Sequence, residues 1–190
     1  MKILAFVDIH GNLSAVKKII KKSEEADLLV CAGDLTNWGT HLELIIKMML
    51  DSKKILIAIH GNHETPDDFK LLQFDNLKFI HRAQLKVNDF TFFGFGGGGF
   101  SQRDIEFENA VKKIKFNRRL ILVTHAPPYG TKLDMLPIGH CGNKSIRNFI
   151  EDKQPMLHIC GHLHENAGKK DKIGNTKVIN PGSEGIFIEI

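Results

Sequence analysis

Hydrophobic residues in this chain come in short blocks, and five of those blocks end on a polar cluster of metal-competent type. Ile3-Leu4-Ala5-Phe6-Val7 runs into Asp8-Ile9-His10, and Leu28-Leu29-Val30-Cys31-Ala32 into Gly33-Asp34. Ile55-Leu56-Ile57-Ala58-Ile59 leads to Gly61-Asn62-His63-Glu64, and Leu120-Ile121-Leu122-Val123 to Thr124-His125. Met156-Leu157-His158-Ile159-Cys160 leads to Gly161-His162-Leu163-His164. Uninterrupted apolar runs of this length, bounded by Gly, Pro and Asp, predict strands buried on both faces.

Between the runs the pattern turns helical. Asn12 or Ser14 starts a helix with Val16, Ile19 and Ile20 on one face and lysines opposite. Leu42 to Leu50 gives a second and Asp104 to Phe116 a third, while Ile146, Phe149 and Ile150 mark a fourth capped by Asn143 or Ser145. Gln84-Leu85-Lys86-Val87 and Phe90-Thr91-Phe92-Phe93-Gly94, joined at Asn88-Asp89, predict a β-hairpin. Lys169 to Ile173 and Lys177 to Ile179, turning at Gly174-Asn175, predict another, and Gly185 to Ile190 a last strand. The chain therefore reads as α/β, alternating at first and antiparallel at the end. Its 190 residues make one domain, 1–190, the default.

In open α/β sheets ligands gather beyond the carboxyl ends of the strands. A lone His or Asp there is usually a cap or turn residue. Five clusters at one topological end, all of ligand type, are hard to obtain from turn chemistry alone. Their mixture of carboxylate, amide and imidazole donors suits Mn, Fe, Co, Ni or Zn better than Ca or Mg. His162 and His164 flank one residue, so an extended backbone would point both the same way, whereas a turn would aim each at a different ion.

Asp-x-His, Gly-Asp, Gly-Asn-His-Glu, a lone His after a buried strand and Gly-His-x-His, in that order, resemble the calcineurin-like metallophosphoesterase superfamily. The resemblance runs from Met1 to about Ser183. The stretches His125-Ala126-Pro127-Pro128-Tyr129-Gly130 with Leu133-Asp134, and Cys160-Gly161-His162-Leu163-His164-Glu165, are similar to small archaeal phosphoesterases and the animal MPPED-type phosphodiesterases. The resemblance implies two stacked mixed β-sheets flanked by helices, and two divalent ions bridged by Asp34. Asp8, His10 and His164 would hold one ion, and Asn62, His125 and His162 the other. A hydroxide between the ions would attack phosphorus in line with the leaving group. His63, beside a ligand but not itself one, would protonate or hydrogen-bond the leaving oxygen.

In the phosphoprotein phosphatase branch a second Asp, three residues after the bridging one, orients the catalytic His, and an Arg follows. Here that stretch is Asp34-Leu35-Thr36-Asn37-Trp38-Gly39, and Asn37 cannot hold an imidazolium by charge. The protein phosphatases are thus a poor match, and the missing arginines favour phosphodiesters over monoesters. Asn37 and His140 are candidate substrate contacts. His140 precedes Gly142-Asn143 at a predicted helix start, where free backbone amides would seat a phosphate. The glycine-rich Gly94 to Phe100 stretch is followed by Ser101-Gln102 in place of Gly-Lys-Ser/Thr, which excludes a P-loop and leaves backbone contact with substrate or a mobile lid.

Composition changes little. The net charge of +4 comes from dispersed lysine and arginine pairs that read as solvated helix faces, so a small phosphoester is favoured over nucleic acid as the partner. Three scattered cysteines form neither CxxC nor a disulfide frame. Five apolar residues between Lys2 and Asp8 are too few for a signal peptide and no run approaches a membrane span, so a cytoplasmic enzyme is expected. A repair-type nuclease would need a capping domain and a basic groove. A scaffold that had lost catalysis would not keep every ligand position.

Overall fold

The computed structural model describes residues 1–112, 114–115 and 117–190. Its first half runs β1 (Lys2–Phe6), α1 (Leu13–Ser23), β2 (Leu28–Cys31), α2 (Leu42–Leu50), β3 (Ile55–Ala58), α3 (Pro66–Lys70), β4 (Leu77–Phe79), β5 (Ala83–Val87) and β6 (Phe90–Phe95). The second runs α4 (Ile105–Val111), β7 (Leu120–Thr124), β8 (Met135–Leu136), β9 (Gly139–His140), α5 (Lys144–Lys153), β10 (Leu157–Ile159), β11 (Lys170–Ile173), β12 (Thr176–Ile179) and β13 (Ile186–Glu189).

Two mixed sheets result, one ordered β13-β1-β2-β3-β4 and the other β11-β12-β10-β7-β6-β5. In the first, β1 to β4 are mutually parallel and β13 is antiparallel to β1. Successive side chains of a strand point to opposite faces, and β1 shows what that does here. Ile3, Ala5 and Val7 enter a core shared with Ile57, Phe92, Ile121, Val123 and Ile159, which lies between the two sheets. Leu4 and Phe6 face the other way, against Val16 and Ile19 of α1 and Ile45, Ile46 and Met49 of α2. On the far side of the second sheet, Phe93, Leu120, Leu122 and Val178 pack against Phe107 of α4 and Ile146, Phe149 and Ile150 of α5. The layers are therefore helix, sheet, sheet, helix, and the uninterrupted apolar runs are explained by strands covered on both sides.

Three local readings need revision. Asp104 does cap a helix, accepting from the Phe107 amide at 2.9 Å, but the helix stops at Val111 rather than Phe116, and Ile114 lies outside it. Lys113 and Phe116 fall outside the described residues. Helix α3 went unpredicted although Thr65, Pro66 and Asp68 spell its start: the Thr65 and Asp68 side chains cap reciprocally and Pro66 occupies the first turn. The three-residue β4 and the β8–β9 pair are too short to show a period.

Candidate metal centre

The parallel strands deliver their carboxyl ends to one edge of the sandwich. Asp8 and His10 leave β1, Asp34 leaves β2, Asn62 and His63 leave β3, His125 leaves β7, and His162 and His164 leave β10. The loops are laced together by backbone. Asp8 N donates to Gly33 O at 3.1 Å, His10 N to Asp34 O at 3.0 Å, and Gly161 N to His125 O at 2.9 Å. Asp8, His10, Asp34 and His162 take positive φ values of 56°, 50°, 51° and 70°. Left-handed backbone at a residue other than glycine costs about 1 kcal/mol or more, and four cases among eight neighbouring site residues mark a place where geometry is held against local preference. Gly61 is needed for contact reasons, since a Cβ there would fall 1.9 Å from Asp34 Oδ1.

The donor atoms converge in two sets. His10 Nε2 lies 3.0 Å from His164 Nε2, and Asp8 Oδ1 is 3.8 Å from the latter. Asn62 Oδ1 lies 2.9 Å from both His125 Nε2 and His162 Nδ1. Asp34 Oδ2 sits between the sets, 3.7 Å from His10 Nε2 and 3.3 Å from His125 Nε2. Among the described residues Asp8, His10 and His164 form one candidate metal-binding group, Asp8, Asp34 and His125 a second, and His10, Asp34 and His63 a third. Two donors about 2.1 Å from one ion and at right angles to each other stand about 3 Å apart, so these separations fit a cation.

The imidazole tautomers agree with that fit. His125 Nδ1–H donates to the Ala32 carbonyl at 2.9 Å, and His10 Nδ1–H to Asn37 Oδ1 at 3.0 Å, so in both rings Nε2 is the nitrogen turned toward the converging donors. His10 Nε2 faces another ring nitrogen at 3.0 Å, an arrangement that a shared cation resolves. Burial, reinforced by the neighbouring His125 charge, pushes the His162 pKa down to about 4, which keeps that ring in the neutral, ligating form. Burial alone would raise the Asp34 carboxyl. The hydrogen bond and charge of His125 prevail and hold it at about 2. Burial raises the Asp8 pKa despite His125 and His164, and a cation beside this carboxyl would oppose that.

The remaining expected residues divide. His63 is in the cluster: its amide donates to Asp34 Oδ1 at 2.9 Å, and its ring packs edge-on to His10 and against Trp38, with centroid distances of 4.7 and 4.5 Å. Asn37 turns to His10 rather than to His63 or outward. His140 stands apart from the converging donors, bound through Nδ1 to the buried Asp134 at 2.8 Å. The amides around it are occupied, Gly142 by Asp134, Asn143 by Pro127 O, Lys144 by Gln102 O and Ile146 by Asn143. The glycine-rich loop lies alongside the centre. Gly97 N donates to His60 O at 3.1 Å, and the Phe100 ring contacts His162 with centroids 4.9 Å apart.

Two contributions were not foreseen. Buried Glu64 accepts from the amides of Asp34 (3.1 Å), Thr36 (2.7 Å) and Gly61 (3.0 Å), so it ties the loop after β2 to the loop after β3. Burial raises its pKa against the pull of those donors. Trp38, 77 % exposed, covers His63. Glu64 follows directly on Gly-Asn-His, and that proximity was its only sequence signal.

The family model for calcineurin-like phosphoesterases matches residues 1–166. The uncharacterized protein MJ1162 of Methanocaldococcus jannaschii is 33 % identical over 203 residues, covering 99 % of this chain and 91 % of that one. The human metallophosphoesterase domain-containing protein 1 is 27 % identical over 187 residues, covering 75 % of this chain and 55 % of its own length. Among solved structures, TT1561 of Thermus thermophilus shares the fold with a TM-score of 0.75 at 17 % identity, over 96 % of this chain and 90 % of that one. With strand-end donors gathered as that family's chemistry requires, the chain belongs to the calcineurin-like phosphoesterases, metal-dependent hydrolases of phosphoester bonds.

Proposed function

We propose that this protein hydrolyses phosphodiesters of small, nucleotide-like molecules with two divalent ions, Mn first and Fe, Ni, Co or Zn as alternatives. The division of the donors into two sets that share Asp34 carries this reading. Asp8, His10 and His164 serve one ion, Asn62, His125 and His162 the other, and Asp34 both. When bound, such ions supply an activated water as nucleophile and offset the charge on the phosphoryl oxygens.

The side chains do the rest. Asn37 and Ala32 O set the His10 and His125 rings, and the Asp34 carboxylate is oriented by the His63 amide. His63, held between His10 and Trp38, is placed to donate a hydrogen bond or a proton to the leaving oxygen. Packing replaces the carboxylate that orients this histidine in the protein phosphatases.

Preference for diesters follows from charge. A monoester brings a second negative charge that wants a cationic clamp. Arg82, Arg103, Arg119 and Arg147 are each paired with an acidic side chain, Glu106, Glu108, Asp89 and Glu151. The basic residues are dispersed along the chain, which favours a small molecule, met in the cytoplasm, over nucleic acid as the partner. The test is kcat/KM for bis(p-nitrophenyl) phosphate against p-nitrophenyl phosphate with each metal in turn. A higher value for the diester is expected; a monoester advantage of about tenfold or more overturns the argument from charge.

A further inference from the structure

Beside the centre, a cleft of about 430 Å³ opens between the first turns of α1 and α2, lined by His10, Leu13, Asn37, His41, Leu44 and Ile45 among others. We propose that this cleft is the subsite for one ester group of the substrate, and that it selects a neutral, planar ring of aryl or nucleobase type. The proposal rests on the phosphoester reading above and names what such an ester carries.

Contiguity with the centre is the first argument. His10 belongs to both places: its Nε2 faces His164 and Asp34, while its ring and its partner Asn37 form the cleft's inner wall. A group attached to phosphorus at the donor cluster has this space open to it without crossing bulk solvent. The volume lies within the roughly 300–1,000 Å³ usual for small-molecule sites.

The chemistry of the walls is the second. Among the described residues, no carboxylate, lysine or arginine lines the cleft. Its floor is buried Ile45, and its sides are Leu13 and Leu44, which are 52 % and 54 % exposed. Leucines so open to solvent add little to the core, yet here two line one cleft at neighbouring helix starts and offer it apolar surface. Polar atoms sit at the rim. Thr40 contributes a hydroxyl, and His41, which starts α2 in left-handed backbone, makes no capping hydrogen bond with its side chain. Apolar walls with polar edges match a heteroaromatic ring.

Calorimetric titration of the Mn-loaded protein with methyl(phenyl)phosphinate and with dimethylphosphinate tests this without turnover. The two probes present the same singly charged phosphinyl group, as a diester does, and differ only in the ring. Wild type should bind the phenyl compound about tenfold or more tightly, as burial of a ring implies. The ratio should drop below about threefold in the Leu13→Ser/Leu44→Ser double variant and in Leu44→Trp, which fills the slot. Both substitutions sit on exposed positions, and unchanged thermal melting would confirm intact variants. Equal affinity of wild type for the two probes, or a ratio that survives both variants, overturns the subsite and leaves the phosphoester reading standing. If neither phosphinate binds wild type, the phosphoester reading fails and the subsite fails with it.

Discussion

Asn37 grips His10 at two points: its Oδ1 accepts the ring Nδ1–H at 3.0 Å, and its Nδ2 donates to the His10 carbonyl, also at 3.0 Å. One amide thereby sets the tautomer of the ring and clamps the left-handed turn that carries it. Asn37→Ala should weaken metal binding about 10- to 100-fold, chiefly at the ion assigned to Asp8, His10 and His164. Titration with Mn while tryptophan fluorescence is followed would show this. Undiminished affinity would remove Asn37 from any part in the centre.

Asp34 is the side chain placed between both donor sets, so its loss should be felt twice. Asp34→Asn keeps the shape and removes the charge. Metal content of the purified protein should fall for both ions, together with activity, by about a hundredfold or more in kcat/KM. Retention of two ions at full activity would reject the bridge. Asn62→Ala, by contrast, should empty mainly one position.

If His63 protonates the leaving oxygen, His63→Ala should depend on what leaves. The loss should reach about 10² to 10⁴ with an alkoxide leaving group and be much smaller with nitrophenolate, with metal content unchanged. Equal losses would make His63 a positioning residue, and lost metal would make it a ligand.

His158 gives a pH prediction independent of catalysis. It is fully buried in β10, its Nε2–H donates to Thr124 Oγ1 at 2.8 Å, and its Nδ1 has no partner among the described residues. Burial pushes its pKa down to about 3 from an ordinary 6.5. The unfolded chain then binds a proton that the folded one refuses, so stability falls as pH drops from 6.5 toward 3. By pH 4.5 this amounts to about 3 kcal/mol. His158→Leu should cost about 1 kcal/mol at pH 7 through the lost hydrogen bond. The melting temperature of this variant should then fall less between pH 7 and pH 4.5 than that of wild type. Parallel acid limbs would show that His158 does not carry the effect.

The covered strands and the identity of the clustered residues were legible because both are written locally, whereas the stacking of two sheets followed only from the family resemblance. An apolar run between Gly and Asp announces a covered strand, and ligand-type residues at its end announce themselves. What failed to show was partnership at a distance. Asn37 lies 27 residues from His10 and Glu64 lies 30 from Asp34, and no local pattern pairs them. The early end of α4 and the three-residue β4 were hidden for a different reason, since elements of one or two turns carry too few positions to display a period.

The donors come from both halves of the sandwich, Asp8, His10, Asp34 and Asn62 from loops of the five-stranded sheet and His125, His162 and His164 from loops of the six-stranded one. Each proposed ion would take ligands from either side, so it would act as a clasp across an edge that apolar packing and a few hydrogen bonds, His125 Nδ1–H to Ala32 O among them, already hold. At a hundred times its dissociation constant, such an ion adds about 2.7 kcal/mol to the work of prising the halves apart. The metal-loaded protein would then be the mechanically closed one, with readiness for chemistry and resistance to proteolysis rising together as the ions bind.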